Sequence, residues 1–285
     1  MKQNYRAVVS LFLVLEMSIL MGQSSLGYAK ADGSFITEYP AVNSPVHEIW
    51  RSGMKDGKLL EQLADGMNNL VTIPGIVTIE LRECGQVNAF YRSVGGPLAE
   101  IVMCYELLDD MQQVFSPYYP DPKMMSQMVM GAWMFVVLHE LGHALIHQLD
   151  LPITGKEEDA VDQLSTLMLT NAGASGESAI LAGAQYFRLG SERRRSPGTV
   201  WLQNVFGNEH YNFSDEHSIH EQRFYNILCW EYGYNPEALV GAVKDGTLPA
   251  HRAQRCGHEY QQIVRTWERL LASHAKTKPP MFKAH

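Results

Sequence analysis

Two histidines, His139 and His143, stand four residues apart in the apolar run VVLHELGHALIH, with Glu140 beside the first. On a helix, residues four apart are separated by about 40° around the axis and about 6 Å along it. Both imidazoles then leave from one face and can reach one metal ion. Glu140 is rotated by about 100° from His139, so its carboxylate lies beside that face, within reach of a water on the ion without being a ligand. This is the His-Glu-x-x-His pattern of a zinc hydrolase. Zinc lowers the pKa of its water to about 7 and polarises a carbonyl, and a neighbouring carboxylate can take the proton. In a helix otherwise made of core residues, these polar groups are costly to bury unless paired or bound to metal. Gly142, between the two histidines, permits another element to come close.

A catalytic zinc site usually has three protein ligands and an open position. His147 continues the spacing, but it lies about 12 Å along the axis from His139, too far for one ion on a straight helix. It is expected at the surface or the core edge. The acids that follow fit better. Pro152 stops the helix, and the chain must turn back. Thr154-Gly155-Lys156-Glu157 reads as a capping box for the next helix, with Thr154 as N-cap and Glu157 committed to the cap. Glu158 is then free to face inward as the third ligand. Asp162, four residues later, shares its face and can hold a ligand histidine's outer N–H; Asp159 is the reserve ligand. Further on, Ser214 or Asp215 can cap another helix, and His217 is a catalytic candidate for holding the oxyanion of a tetrahedral intermediate. The expected cofactor is one Zn2+ ion, although affinity alone does not exclude manganese or cobalt.

The chain as a whole bounds the setting. It has 285 residues, 46% hydrophobic and 19% charged, enough for a real core. A net charge of −8 gives a nucleic-acid partner no support. Lys2 and Arg6 precede an apolar stretch at 7–21 and a small-x-small site at Ala29-Lys30-Ala31. Residues 1–31 therefore read as an export signal, followed by one domain over 32–275 and a frayed tail over 276–285. No later run reaches the roughly 18 apolar residues of a membrane span, so no stable membrane insertion is expected after signal cleavage. The expected location is periplasmic or extracellular. There, the four cysteines fall into two sequence-local pairs, Cys84–Cys104 and Cys229–Cys256, although the sequence alone allows three connectivities. Arg193-Arg194-Arg195, beside Ser196-Pro197-Gly198, reads as a solvated loop. Met124, Met125, Met128, Met130 and Met134 read as core filler.

Elements follow from periodicity and punctuation. Residues 32–45 read as a loose lead-in. Residues 46–69 read as one helix, with Ile49, Trp50, Leu59, Leu60, Leu63 and Met67 at helical spacing. Residues 77–81, 88–92 and 101–106 read as strands, with Gly95-Gly96-Pro97 as the turn between the last two. Asp121-Pro122 caps and opens a long helix reaching about 149. Helices are expected at 156–173, 176–190, 216–232, 236–244 and 249–274. The class is α+β: a small mixed sheet region, then a mostly helical half that carries the histidine helix.

LHELGHAL followed by EEDAVDQ resembles the gluzincin pattern, in which a downstream Glu-x-x-x-Asp supplies the third ligand and its support. Together with ECGQVNAFY, MCYEL, DEHSIHEQRFYNILCWEYG and LPAHRAQRCGHEY, these motifs make the chain from about 72 to 271 resemble a family of zinc metallopeptidases catalogued as a domain of unknown function. The resemblance implies a zincin-like fold and a peptide or protein substrate. It also implies His139, His143 and Glu158 as zinc ligands and Glu140 as catalytic acid and base. In zincins the substrate pairs with an edge strand near the histidine helix; residues 88–91 are the candidate edge. The alternative is an exported zinc-containing binding or scaffold protein that keeps the site without turnover.

Overall fold

Residues 33–194, 220–278 and 280–284 are described in this computed structural model. The expected signal segment, the cap candidates Ser214 and Asp215, the catalytic candidate His217 and Arg195 lie outside them. The fold is α+β, as the element pattern implies. A four-stranded sheet occupies the N-terminal part and helices dominate the rest.

The sheet runs β1 (Ser34–Glu38), β2 (Ile76–Arg82), β4 (Leu98–Cys104) and β3 (Ala89–Gly95) across its width. The first three are mutually parallel, and β3 is antiparallel to β4 at the edge. Alternation in IVTIELR sends Val77, Ile79 and Leu81 into the core. Gly95 and Gly96 take φ of 119° and 56°, a region open to glycine, and so form the expected turn into β4. The strand expected over 88–92 is β3, the last in the strand order among the described residues.

Two N-terminal expectations are corrected. The lead-in contains β1, because Asn68 brackets Phe35: its Oδ1 accepts from Phe35 N and its Nδ2 donates to Phe35 O, both at 2.8 Å. A strand with one buried side chain leaves little trace in periodicity. The single helix expected over 46–69 is two, α1 (Pro45–Asp56) and α2 (Leu59–Leu70). The chain breaks where Lys58 adopts φ 52°. After β4, the strand expected to reach 106 stops at Cys104, and an unforeseen helix, α3 (Tyr105–Phe115), begins.

The long helix α4 (Pro122–Gln148) opens as expected, with Asp121 Oδ1 accepting from Met124 N at 2.8 Å. It is apolar on nearly all sides, and 83% of its most apolar window is buried in the fold. By length and composition it could cross a membrane; here it is the central helix that other elements cover. Met130 and Met134 are buried as expected, whereas Met124 is exposed. Leu151 N donates to Ile146 O at 3.0 Å, Asp150 sits at φ 49°, and Pro152 follows. This glycine-free αL stop turns the chain back.

The remaining helices are α5 (Glu157–Thr170), α6 (Ala174–Arg194), α7 (His220–Tyr234), α8 (Pro236–Lys244) and α9 (Ala250–Leu271). α4 packs against α5 and α6, and α7 covers α5 and α6. Arg193 is not in a loop: it lies in the last turn of α6 and pairs with Asp110 at 3.2 Å. Both expected disulfides are present. Cys84–Cys104 joins the ends of β2 and β4, and Cys229–Cys256 joins α7 to α9. The tail expected to fray instead docks, burying Met281 and Phe282, whose amides both donate to Glu268.

One core carboxyl contributes a pH dependence. Glu231 on α7 is 1% exposed, and its Oε2 has no hydrogen-bond partner among the described residues. Burial, with the charge of Glu177 adding to it, pushes its pKa from 4.5 up to about 8. The stability tied to this group is complete below pH 4.5, where both folded and unfolded chains hold the proton. It falls as pH rises toward 8, because only the unfolded chain ionises. Glu231→Gln should therefore leave stability near pH 4 unchanged and raise it at pH 7 by about 2–4 kcal/mol, as measured by denaturant titration at the two pH values.

Candidate metal centre

Helix α4 presents His139 and His143 on one face, and the turn at 149–152 brings the first turn of α5 back against it. The approach is close because Gly142 has no side chain: a Cβ there would lie 2.8 Å from Val161 Cβ and Cγ1. Glu158 therefore arrives between the two imidazoles. His139 Nε2 lies 3.1 Å from Glu158 Oε2, and His143 Nε2 lies 3.2 Å from Glu158 Oε1. The two Nε2 atoms are 3.2 Å apart.

These distances suit a shared cation. Ligand atoms bound tetrahedrally at the usual zinc–nitrogen length stand about 3.3–3.4 Å apart. Two imidazole nitrogens and two carboxylate oxygens that close need positive charge between them. The imidazoles reflect this. Burial alone would lower their pKa, yet Asp162 and Glu158 raise His139 to about 9, and Glu158 leads the groups that raise His143. His139, His143 and Glu158 together could bind a metal ion. Asp159, the reserve candidate, is not part of that group.

The outer nitrogens are held as well. His139 Nδ1 meets Asp162 Oδ1 at 2.8 Å, with both residues buried. Arg223 of α7 donates to the same carboxylate twice, from Nη2 to Oδ1 at 2.7 Å and from Nε to Oδ2 at 2.8 Å. Its guanidinium lies 3.8 Å from the Phe187 ring centroid. Burial would raise the Asp162 pKa, but Arg223 and His139 outweigh it and hold the group at about 2. An ionised Asp162 accepts the Nδ1 proton, so whenever His139 is neutral its lone pair is at Nε2, facing Glu158 and His143.

Glu140 is buried one residue along α4, and its charge reaches both His143 and Arg223. His147 is half exposed at the end of the helix, the surface edge expected for it. Glu157 corrects the expected capping box. Lys156, not Thr154, is the N-cap and makes no side-chain cap bond. Glu157 Oε1 instead contacts His143 Nδ1 at 2.6 Å and His147 Nε2 at 3.2 Å.

Arg223 is the residue that the sequence reading missed. It lies 61 positions after Asp162, and no spacing rule connects them. Its trace is a cation on the buried stripe of α7 that also carries Ile227 and Trp230 at helical spacing.

A family model described as "Putative metallopeptidase" matches residues 39–271. Comparison with curated proteins and with solved structures finds no match.

Two substitutions test the packing of this centre. Arg223→Met leaves a buried carboxylate without its principal counter-charge and should cost about 3–5 kcal/mol, read by chemical denaturation. Gly142→Ala improves helix propensity by about 1 kcal/mol, but overpacking against Val161 should cost about 1–3 kcal/mol. The expected result is a lower melting temperature.

Proposed function

The chain belongs to this metallopeptidase family, and from that premise we propose that it hydrolyses peptide bonds with one zinc ion held by His139, His143 and Glu158. The observation that carries the reading is the mutual approach of two imidazole nitrogens and one carboxylate within 3.1–3.2 Å. A two-histidine, one-carboxylate donor set with a fourth position left for water or substrate is a usual catalytic zinc arrangement. When bound, zinc supplies a Lewis acid and acidifies water.

The protein's own groups do the rest. Glu140 takes a proton from the attacking water and returns it to the leaving amine. Asp162, itself anchored by Arg223, holds His139 in the tautomer that presents Nε2. The outer edge of β3, unpaired among the described residues and packed against α4, offers backbone groups with which an extended peptide can pair. His217 is the candidate for stabilising the oxyanion. Two disulfides support export, with residues 1–31 as the signal.

Glu140→Gln separates metal binding from chemistry. It should retain stoichiometric zinc while peptide cleavage falls by about 10²–10⁴-fold. Cleavage equal to wild type would rule out the proton-transfer role. Glu158→Ala should lose zinc on dialysis; full retention would remove Glu158 from the ligand set. Cleavage is read with a peptide library and a chelator control. A zinc-loaded protein that cleaves nothing would point to binding without turnover.

A further inference from the structure

The two ligand imidazoles are supported in different ways. Behind His139 the support is closed, because Asp162 and Arg223 are both buried. Behind His143 it is open. Glu157 Oε1 accepts from His143 Nδ1 at 2.6 Å and lies 3.2 Å from His147 Nε2, within ion-pair distance; the side chains of Glu157 and His147 are 33% and 52% exposed. The His147 ring meets Tyr91 edge-on, with centroids 5.1 Å apart at 72°. Tyr91 stands opposite Ile101 on β3, the last strand at its side of the sheet.

The geometry points to Glu157 as a positioning residue for His143, with His147 as the group that holds Glu157 in place and Tyr91 as its contact with the edge strand. The assignment rests on the zinc site proposed above. An imidazole that binds metal through Nε2 carries its proton on Nδ1, and a carboxylate at hydrogen-bond distance there fixes both tautomer and ring plane. Glu157 is a flexible, partly solvated side chain in a first helical turn. A second imidazole set against the same oxygen at ion-pair distance restricts its rotation. His147 supplies that contact one helical turn beyond His143, which accounts for a third histidine at the same spacing that is itself no ligand. This arm, unlike the buried one, lies within reach of whatever pairs with the edge of β3.

The test is zinc affinity of the full chain, measured by competition with a chromophoric chelator and therefore without turnover. Glu157→Ala should weaken zinc about 10–100-fold. Glu157→Gln, whose carbonyl still accepts from Nδ1–H, should recover most of that loss. His147→Ala should weaken zinc several-fold, less than Glu157→Ala. Wild-type affinity in Glu157→Ala, with affinity lost in His143→Ala, would overturn the assignment and leave the zinc site standing. Wild-type affinity in His143→Ala would sink the zinc-site reading itself. Should Glu157→Ala fail to fold, the exposed His147→Ala decides: unchanged affinity there overturns the assignment.

Discussion

A carboxylate that is 1% exposed and still ionised constrains everything around it. Asp162 sits in the core with a pKa near 2. Burying such a charge alone would cost several kcal/mol after relaxation, so positive donors must converge on it from other elements. Arg223 comes from α7 and His139 from α4, and each must be present in the right geometry. The same bonds that stabilise the anion therefore lock α7 and α4 onto α5. They also fix the tautomer of one imidazole. Tertiary packing and ligand orientation share one interaction, and neither can relax without the other.

The charge balance around the paired imidazoles follows. Glu140, Glu158 and Asp162 are buried and Glu157 is half-buried, against one buried guanidinium. Burial of Glu140, Glu158, Asp162 and Arg223 leaves little solvent to screen this imbalance. The raised pKa of both histidines expresses a preference for added positive charge, and the three residues His139, His143 and Glu158 together could hold a metal ion. An apolar helix with a few acidic and imidazole groups on one side is thus not a contradiction. The low dielectric around those groups strengthens their hold on a cation.

Much of this was legible in the sequence because it depends on local spacing. The His139–His143 pair, the Asp121-Pro122 start of α4, the Pro152 reversal and the place of Glu158 and Asp162 all follow from helical geometry over a few residues. The close approach at Gly142 could be read because a missing side chain has one obvious use. What stayed hidden depends on distant partners. β1 exists because Asn68, more than thirty residues later, supplies hydrogen bonds to Phe35. Arg223 reaches the site through α7 packing; helical spacing places it on a buried stripe but names no partner for it. The tail docks because Glu268, Tyr260 and Asn171 offer bonds to its backbone. Glu157 was misread for the opposite reason: a local capping rule was available, but a stronger acceptor role facing His143 and His147 prevailed over it.

The cysteines complete the argument from the other side. Thiolates are strong zinc ligands, and a free pair near the fold's acids would compete with a two-histidine site. All four are oxidised here. Each bridge also secures an element that supports the centre from a distance. Cys84–Cys104 closes a loop of 20 residues that contains β3, and Cys229–Cys256 closes one of 27 beginning six residues beyond Arg223. Loops of that size lower the entropy of the unfolded chain by roughly 3 kcal/mol each. The two bridges thus do two things for the same centre: they take the thiols out of competition as ligands, and they steady the edge strand and the arginine helix that flank the imidazoles.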